Sequence, residues 1–148
     1  MEILNRKASF NYFIQEEIEC GIVLTGTEIK SIREGKANIK DSYGIIRNNE
    51  IFILNMHISE YKEGNIFNHE VNRTRKLLLH KKEILKLKTY LEQDGLTLIP
   101  LKLFLKGNKL KVSLGICKGK KLYDKRESIK EKDQNREANK LMKNNYRA

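Results

Sequence analysis

The sequence predicts a mainly β fold with a few helices, and three observations lead to that class. Two stretches, DSYGIIRNNEIFILNMHI and LTLIPLKLFLKGNKLKVSLGI, place β-branched and aromatic residues on both sides of a turn dipeptide. A third, SFNYFIQEEIECGIVL, alternates as a half-buried strand does, with Phe10, Tyr12 and Ile14 on one face. Against these, a single stretch carries apolar residues at helical spacing over several turns, RKLLLHKKEILKLKTYLEQDG.

In chain order, the first strand runs through SFNYFIQEEIECGIVL, with Gly21 as a point of interruption. TGTEIKSIREGK then offers Thr25 or Thr27 as an N-cap, Ile29 and Ile32 three apart, and Gly35 as a stop, which reads as a short helix. The first hairpin turns at Asn48-Asn49, because asparagine tolerates the positive φ of tight hairpin turns. Residues 59–73 form a polar loop, and the long helix follows, with Leu78, Ile84, Leu85, Leu87 and Leu91 on its repeat and Gly95 after it. The second hairpin turns at Gly107-Asn108. Its Pro100 cannot donate to a ladder and so marks an edge or a bulge. Four to six antiparallel strands with a short and a long flanking helix fit a small barrel of the OB type, closed or partly open. Such barrels often hold nucleic acid, but function has to be argued from residues.

Composition divides the chain in two. Residues 118–148 hold eleven Lys and Arg against five Asp and Glu, so this tail carries six of the net eleven positive charges. Between Lys125 and Lys140 its only aliphatic residues are Ile129 and Ala138. A helix docking on a core repeats apolar residues every three or four positions, so the free tail is expected to be disordered and to order against a partner. Residues 1–117 are the length of one domain with one core. The net charge of +11 favours a polyanionic partner. Nucleic acid fits better than a membrane surface, because the tail lacks the apolar face of an interfacial helix.

The chain shows no leader pattern and no long apolar run, so a cytoplasmic location is expected. Cys20 and Cys117 lack metal or disulfide spacing and read as reduced core residues. His57, His69 and His80 are scattered, no nucleophile or phosphate-loop motif is present, and each histidine reads as surface or half-buried. Neither an enzyme, a metal, a cofactor nor a small-molecule substrate is expected. On composition alone, a general RNA chaperone or a ribosomal protein fits equally well.

Four strings sharpen this: NRKASFNYFI, GIVLTGTEIKSIREGKANIKDSY, NRTRKLLLHKKEI and GKKLYDKRESIKEKD. In order and spacing they resemble the small protein B family, the SsrA-binding proteins, from Asn5 to about Asp133. The resemblance implies a non-enzymatic bacterial protein whose OB-like body holds the tRNA-like domain of transfer-messenger RNA (tmRNA). It also implies a tail that becomes helical in the empty mRNA channel of a stalled ribosome, near the decoding centre, in trans-translation. A vacated channel lined by RNA is a polyanionic groove able to order a cationic tail, whereas a channel filled by message excludes it.

Carried residue by residue, the resemblance places RNA contacts at Asn5, Glu19, Tyr43, Leu78 and Lys111. Glu19 can accept hydrogen bonds from a base edge or a 2′-hydroxyl. Tyr43 fits base stacking and barrel core equally, while Tyr12 reads as core. Leu78 faces RNA by resemblance and the core by periodicity. Lys7, Arg73, Arg75, Lys76 and Lys111 are the expected phosphate contacts. In the tail, Gly119 is the expected hinge, followed by Lys120, Lys121, Tyr123, the motif Asp124, Lys125 and Arg126, and then Ile129 and Lys130. Tyr123 stands where many family members carry His, and Lys132 where many carry Arg, so stacking is kept while protonation and a planar fork are lost.

Overall fold

The protein is described from a computed structural model, which describes residues 1–63, 68–92, 95–127 and 129. As far as Gly119, the described residues form nine strands and three helices in the order β1 (Glu2–Leu4), α1 (Ala8–Asn11), β2 (Tyr12–Ile22), α2 (Gly26–Arg33), β3 (Ala37–Asn38), β4 (Tyr43–Arg47), β5 (Glu50–Leu54), β6 (His57–Ile58), β7 (Arg75–Leu78), α3 (Lys81–Glu92), β8 (Thr97–Lys106) and β9 (Lys109–Gly119). Seven strands form one antiparallel sheet ordered β1-β8-β4-β5-β7-β2-β9, and a β8–β9 pairing closes it into a barrel. β3 and β6 form a separate ribbon. The mainly β, barrel-like class expected from sequence is the one observed.

Local chemistry explains the elements that were legible. Asn48 and Asn49 both take positive φ, 53° and 59°, the left-handed pair that turns β4 into β5. Asn55, at φ 58°, ends β5. Pro100 sits at a register shift between β8 and β9, the bulge a residue without an N–H demands. Thr25, not Thr27, caps α2, and it does so reciprocally. Its side chain accepts from the Glu28 N–H at 3.4 Å, while its own N–H donates to Glu28 Oε1 at 2.9 Å.

Three expectations fail. The first strand begins at Tyr12, because residues 8–11 turn into α1 with Asn11 N–H bonded to Lys7 O. Ala8 is buried in a small cluster with Ile99 and Cys117, against which Tyr12 packs, and Phe10 does not share a strand face with Tyr12 and Ile14. Gly21 does not interrupt β2, whose only irregularity against β9 lies between Ile14 and Glu16. The long helix starts at Lys81, so Arg75–Leu78 is a strand and not its first turn. Its burial alternates inward at Arg75 and Leu77, the period of a strand bonded between β5 and β2.

The barrel interior is filled by Ile32, Ile51, Ile53, Ile58, Leu77, Leu87, Leu98, Leu103, Val112 and Leu114 with their neighbours. Each fully buried aliphatic side chain contributes about 1.5–3 kcal/mol. One seam depends on a glycine: β4 meets β8 at Gly44 opposite Leu98, where an added Cβ would stand 2.9 Å from Leu98 Cβ.

Candidate nucleic-acid interface

Three of the residues expected to touch RNA converge on the outer face of the barrel. Across the β7-β2-β9 ladder, Gly21 is opposite Leu78 on one side and Lys111 on the other, so the three stand in one row. Glu19, two residues before Gly21, points to the same face. These residues, with Leu79, His80 and Glu83, line a shallow depression of about 340 Å³. A Cβ at position 21 would lie 3.1 Å from Leu78 Cβ, so glycine lets the leucine lean across the row. Leu78 is 52% exposed, an apolar side chain held outward on a strand between charged neighbours. Glu19 Oε2 meets Lys106 Nζ at 3.1 Å, and both side chains are well exposed. A pair of this kind exchanges easily with solvent or ligand. Glu19 can therefore accept from a base edge, Lys111 can meet phosphate, and Leu78 can contact the flat face of a base.

The other expected contacts are distributed differently. Tyr43 is 37% exposed at the start of β4, paired with Leu54 and outside the depression. Lys76 is half-buried and pairs with Glu50 on the neighbouring strand at 3.2 Å. Lys7 is exposed beside Lys40, whose proximity disfavours a second ammonium and holds Lys7 below the ordinary lysine range. Arg73 is partly exposed, but its guanidinium donates to Glu28 Oε1 at 2.6 Å and to Val23 O at 3.3 Å.

Two expected contacts are corrected. Arg75 does not face phosphate: it is fully buried, its Nε donating to Glu28 Oε2 at 2.5 Å and its other nitrogens to the carbonyls of Met56, Glu70 and Val71. Its inward position on β7 forces this, and the buried Glu28 supplies the counter-charge. Burial alone would raise the Glu28 carboxyl, but hydrogen bonds from Arg73, the Thr25 backbone and Arg75 outweigh that and hold it below the usual carboxylate range. Asn5 is likewise buried, its amide donating to Ile39 O at 3.3 Å and Pro100 O at 3.0 Å, so it pins the N-terminal segment to the barrel.

The family model described as SmpB protein matches residues 2–144. The chain belongs to the SmpB family. An SsrA-binding protein of Clostridium botulinum (strain Eklund 17B / Type B) is 62% identical over 143 residues, 97% of this chain and 92% of that one. Its counterpart in Acetivibrio thermocellus is 57% identical, again over 97% of this chain and 93% of the relative. A solved structure described as "tmRNA-SmpB: a journey to the center of the bacterial ribosome" superimposes with a TM-score of 0.71 at 40% identity, covering 86% of this chain and 94% of that chain.

In this SmpB-family chain the tail leaves the barrel at the end of β9, which continues through Gly119 opposite Tyr12. Nothing lies within 4 Å of an added Cβ at Gly119, and its φ is not in the left-handed range. Residues 122–127 are helical, begun by the Asp124 carboxylate accepting from the Lys121 N–H at 3.2 Å and by Lys125 N–H bonding Lys121 O at 3.1 Å. Leu122, Tyr123 and Ile129 are exposed, as are Lys121 and Arg126, while Lys120, Asp124 and Lys125 are half-buried. Lys130, Lys132 and the rest of the expected tail helix lie outside the described residues.

Other groups have structural roles. His69, expected at or near the surface, is buried, with Nδ1 2.9 Å from Thr27 Oγ1 and Nε2 2.8 Å from Ile58 O. Both cysteines are buried and free, and burial pushes their thiols up, Cys20 to about 12 and Cys117 to about 11. Among the described residues no cluster of three or more His, Cys, Asp or Glu is placed to hold a metal, and no helix is long and apolar enough to cross a membrane. Sequence reasoning missed Glu28, although Thr25-x-x-Glu28 is a readable capping box. It also missed His80 and Glu83 at the rim of the depression, for which a three-residue spacing on the surface was the only signal.

Proposed function

We propose that this SmpB-family chain binds tmRNA through its barrel and acts on stalled ribosomes in trans-translation, as a cytoplasmic binding protein and not as an enzyme. Family membership, the SsrA-binding relatives and the likeness to a tmRNA-SmpB structure support the reading. The observation that carries it is the row Leu78, Gly21 and Lys111 with Glu19, an exposed apolar side chain flanked by an acceptor and a cation on a rigid sheet.

In this reading Glu19, Leu78 and Lys111 form the centre of the RNA contact. Tyr43, Lys7, Lys76 and the exposed edge of Arg73 extend it, while Asn5 and Arg75 hold the surface in shape. The body comprises residues 1–117 and the tail residues 118–148. The tail enters an empty mRNA channel as a cationic helix, and Lys121, Tyr123, Asp124, Lys125, Arg126, Ile129 and Lys130 meet the ribosome near the decoding centre.

Two measurements test the reading. At matched salt, affinity should be higher for tmRNA than for an unrelated stem-loop of equal length, with tRNA as the intermediate comparison. Equal affinity for all three would instead make the chain a general RNA chaperone. Deleting residues 121–148, a cut that spares β9, should leave tmRNA affinity nearly intact and abolish tagging on ribosomes stalled at a truncated message. A large loss of affinity in the truncated chain would make the tail a primary RNA anchor and overturn the division.

A further inference from the structure

Lys120 lies at the root of the tail and makes three contacts back to the body. Its N–H donates to Asn11 O at 2.9 Å, extending the β2–β9 ladder one step beyond Gly119. Its Nζ donates to Ser9 O at 2.9 Å and lies 4.9 Å from the centre of the Phe13 ring. Ser9 and Asn11 belong to α1, so the carbonyls engaged are those a short helix leaves without partners at its C-terminal end, where a cation is favoured. Phe13 is 47% exposed, a large aromatic whose outward position on β2 places its face under this ammonium. α1 is itself fixed, because Ala8 is buried against Ile99 and Cys117 and Asn5 is bonded to Leu101, Ile39 and Pro100. One residue further on, Lys121 begins the helical turn of the tail.

We propose that Lys120 is a positioning residue: clamped on the Ser9 carbonyl and the Phe13 ring, it fixes the direction in which the tail leaves the barrel. The tail is thereby aimed relative to the RNA-binding face before it meets the ribosome, and the pivot sought at Gly119 is a held joint. The open space around Gly119 and its ordinary φ agree with this, since nothing there requires glycine for bending. The inference rests on the proposed ribosomal role of the tail, but the clamp is measurable in the free protein.

The test uses the full chain with spin labels at Arg47→Cys and Glu127→Cys, both exposed positions, the native thiols being buried and poorly ionised. Phe13→Leu, which keeps every charge, and Lys120→Met, which keeps the stem, should each broaden the label-to-label distance distribution. Each should also reduce the held population by about two- to fivefold, the weight of one solvent-exposed cation–π contact. Tagging of stalled chains should fall with it, tmRNA affinity should stay within about twofold, and Lys120→Arg should restore the narrow distribution. The double variant should be no worse than either single one. If Phe13→Leu leaves both distribution and tagging at the parent values while Lys120→Met lowers tagging, Lys120 is a ribosome contact and the clamp is overturned. Broad distributions with full tagging overturn the aiming role. Failure of the tail reading itself would appear separately, as full tagging by the chain lacking residues 121–148.

Discussion

Glu28 with Arg75 and Glu19 with Lys106 are both carboxylate–cation pairs that join distant parts of the chain, at 2.5 Å and 3.1 Å. The first has neither side chain exposed to solvent, whereas the second leaves Lys106 66% and Glu19 40% exposed. Pairing a carboxylate with a cation thus serves opposite ends. Inside, Glu28 must be matched, because an unpaired buried charge is costly, and the match ties α2 to β7 and to the carbonyls around residues 56, 70 and 71. Outside, the pair is weak, and weakness is what a binding surface needs if Glu19 is to exchange Lys106 for an RNA donor.

The largest effect should follow from Glu28→Ala. Arg75 would be left buried without a counter-charge and Arg73 without its main partner, so unfolding stability should fall by about 3–5 kcal/mol, read by urea or thermal denaturation. A variant as stable as the parent would mean that water reaches Arg75 and that the contrast between inside and outside is illusory. pH sharpens the same point. A carboxyl depressed on folding contributes stability that is fully present above its unfolded pKa of about 4.3 and is lost as pH falls through the lower folded value. The stability gap between the parent and Glu28→Gln should therefore be widest near neutrality and shrink below about pH 4. An unchanged gap at acid pH would show that the charge of Glu28 is not what holds the cluster.

Next in size is Leu78→Asn. Leu78 is more than half exposed, so the barrel should keep its melting temperature, while tmRNA affinity should drop roughly tenfold, about 1.4 kcal/mol. Loss of stability matching the loss of affinity would make Leu78 a packing residue, as the helical repeat in the sequence had suggested. Tyr43→Ala divides the same two roles. A buried aromatic truncated to alanine costs about 3–5 kcal/mol, but Tyr43 is 37% exposed. The expected result is a folded protein with weaker RNA binding, and a protein that unfolds would return Tyr43 to the core.

The contrast also explains which features were legible in the sequence. Both hairpins could be read, because Asn48-Asn49 and Gly107-Asn108 act through their own backbone geometry, and Pro100 announces its bulge in the same local way. β7 could not. Leu77, Leu78 and Leu79 run straight into the apolar repeat of α3, and only bonding to β5 and β2 decides that residues 75–78 are extended. The inward turn of Arg75 was equally hidden, because its partner lies 47 residues away and charged side chains face water by default. In the interface, motif resemblance singled out Glu19, Leu78 and Lys111 separately. Their alignment through Gly21 exists only in the register of three strands.

The smallest effect should come from Lys106→Ala. Both members of its pair with Glu19 are exposed, so thermal or urea unfolding should register less than about 1 kcal/mol. A loss near that of Glu28→Ala would erase the distinction between the two pairs. RNA binding offers a finer reading of the same variant. If Lys106 only shields Glu19, removing it leaves the salt dependence of tmRNA affinity unchanged and frees the carboxylate for the base edge. If Lys106 turns to phosphate when RNA arrives, the slope of log affinity against log salt should fall by about one. Under the exchange described above, in which Glu19 gives up Lys106 to an RNA donor, the released ammonium sits on a polyanion. The expected result is therefore the shallower slope together with unchanged stability, whereas an unchanged slope would show that Lys106 does not turn to phosphate when RNA arrives.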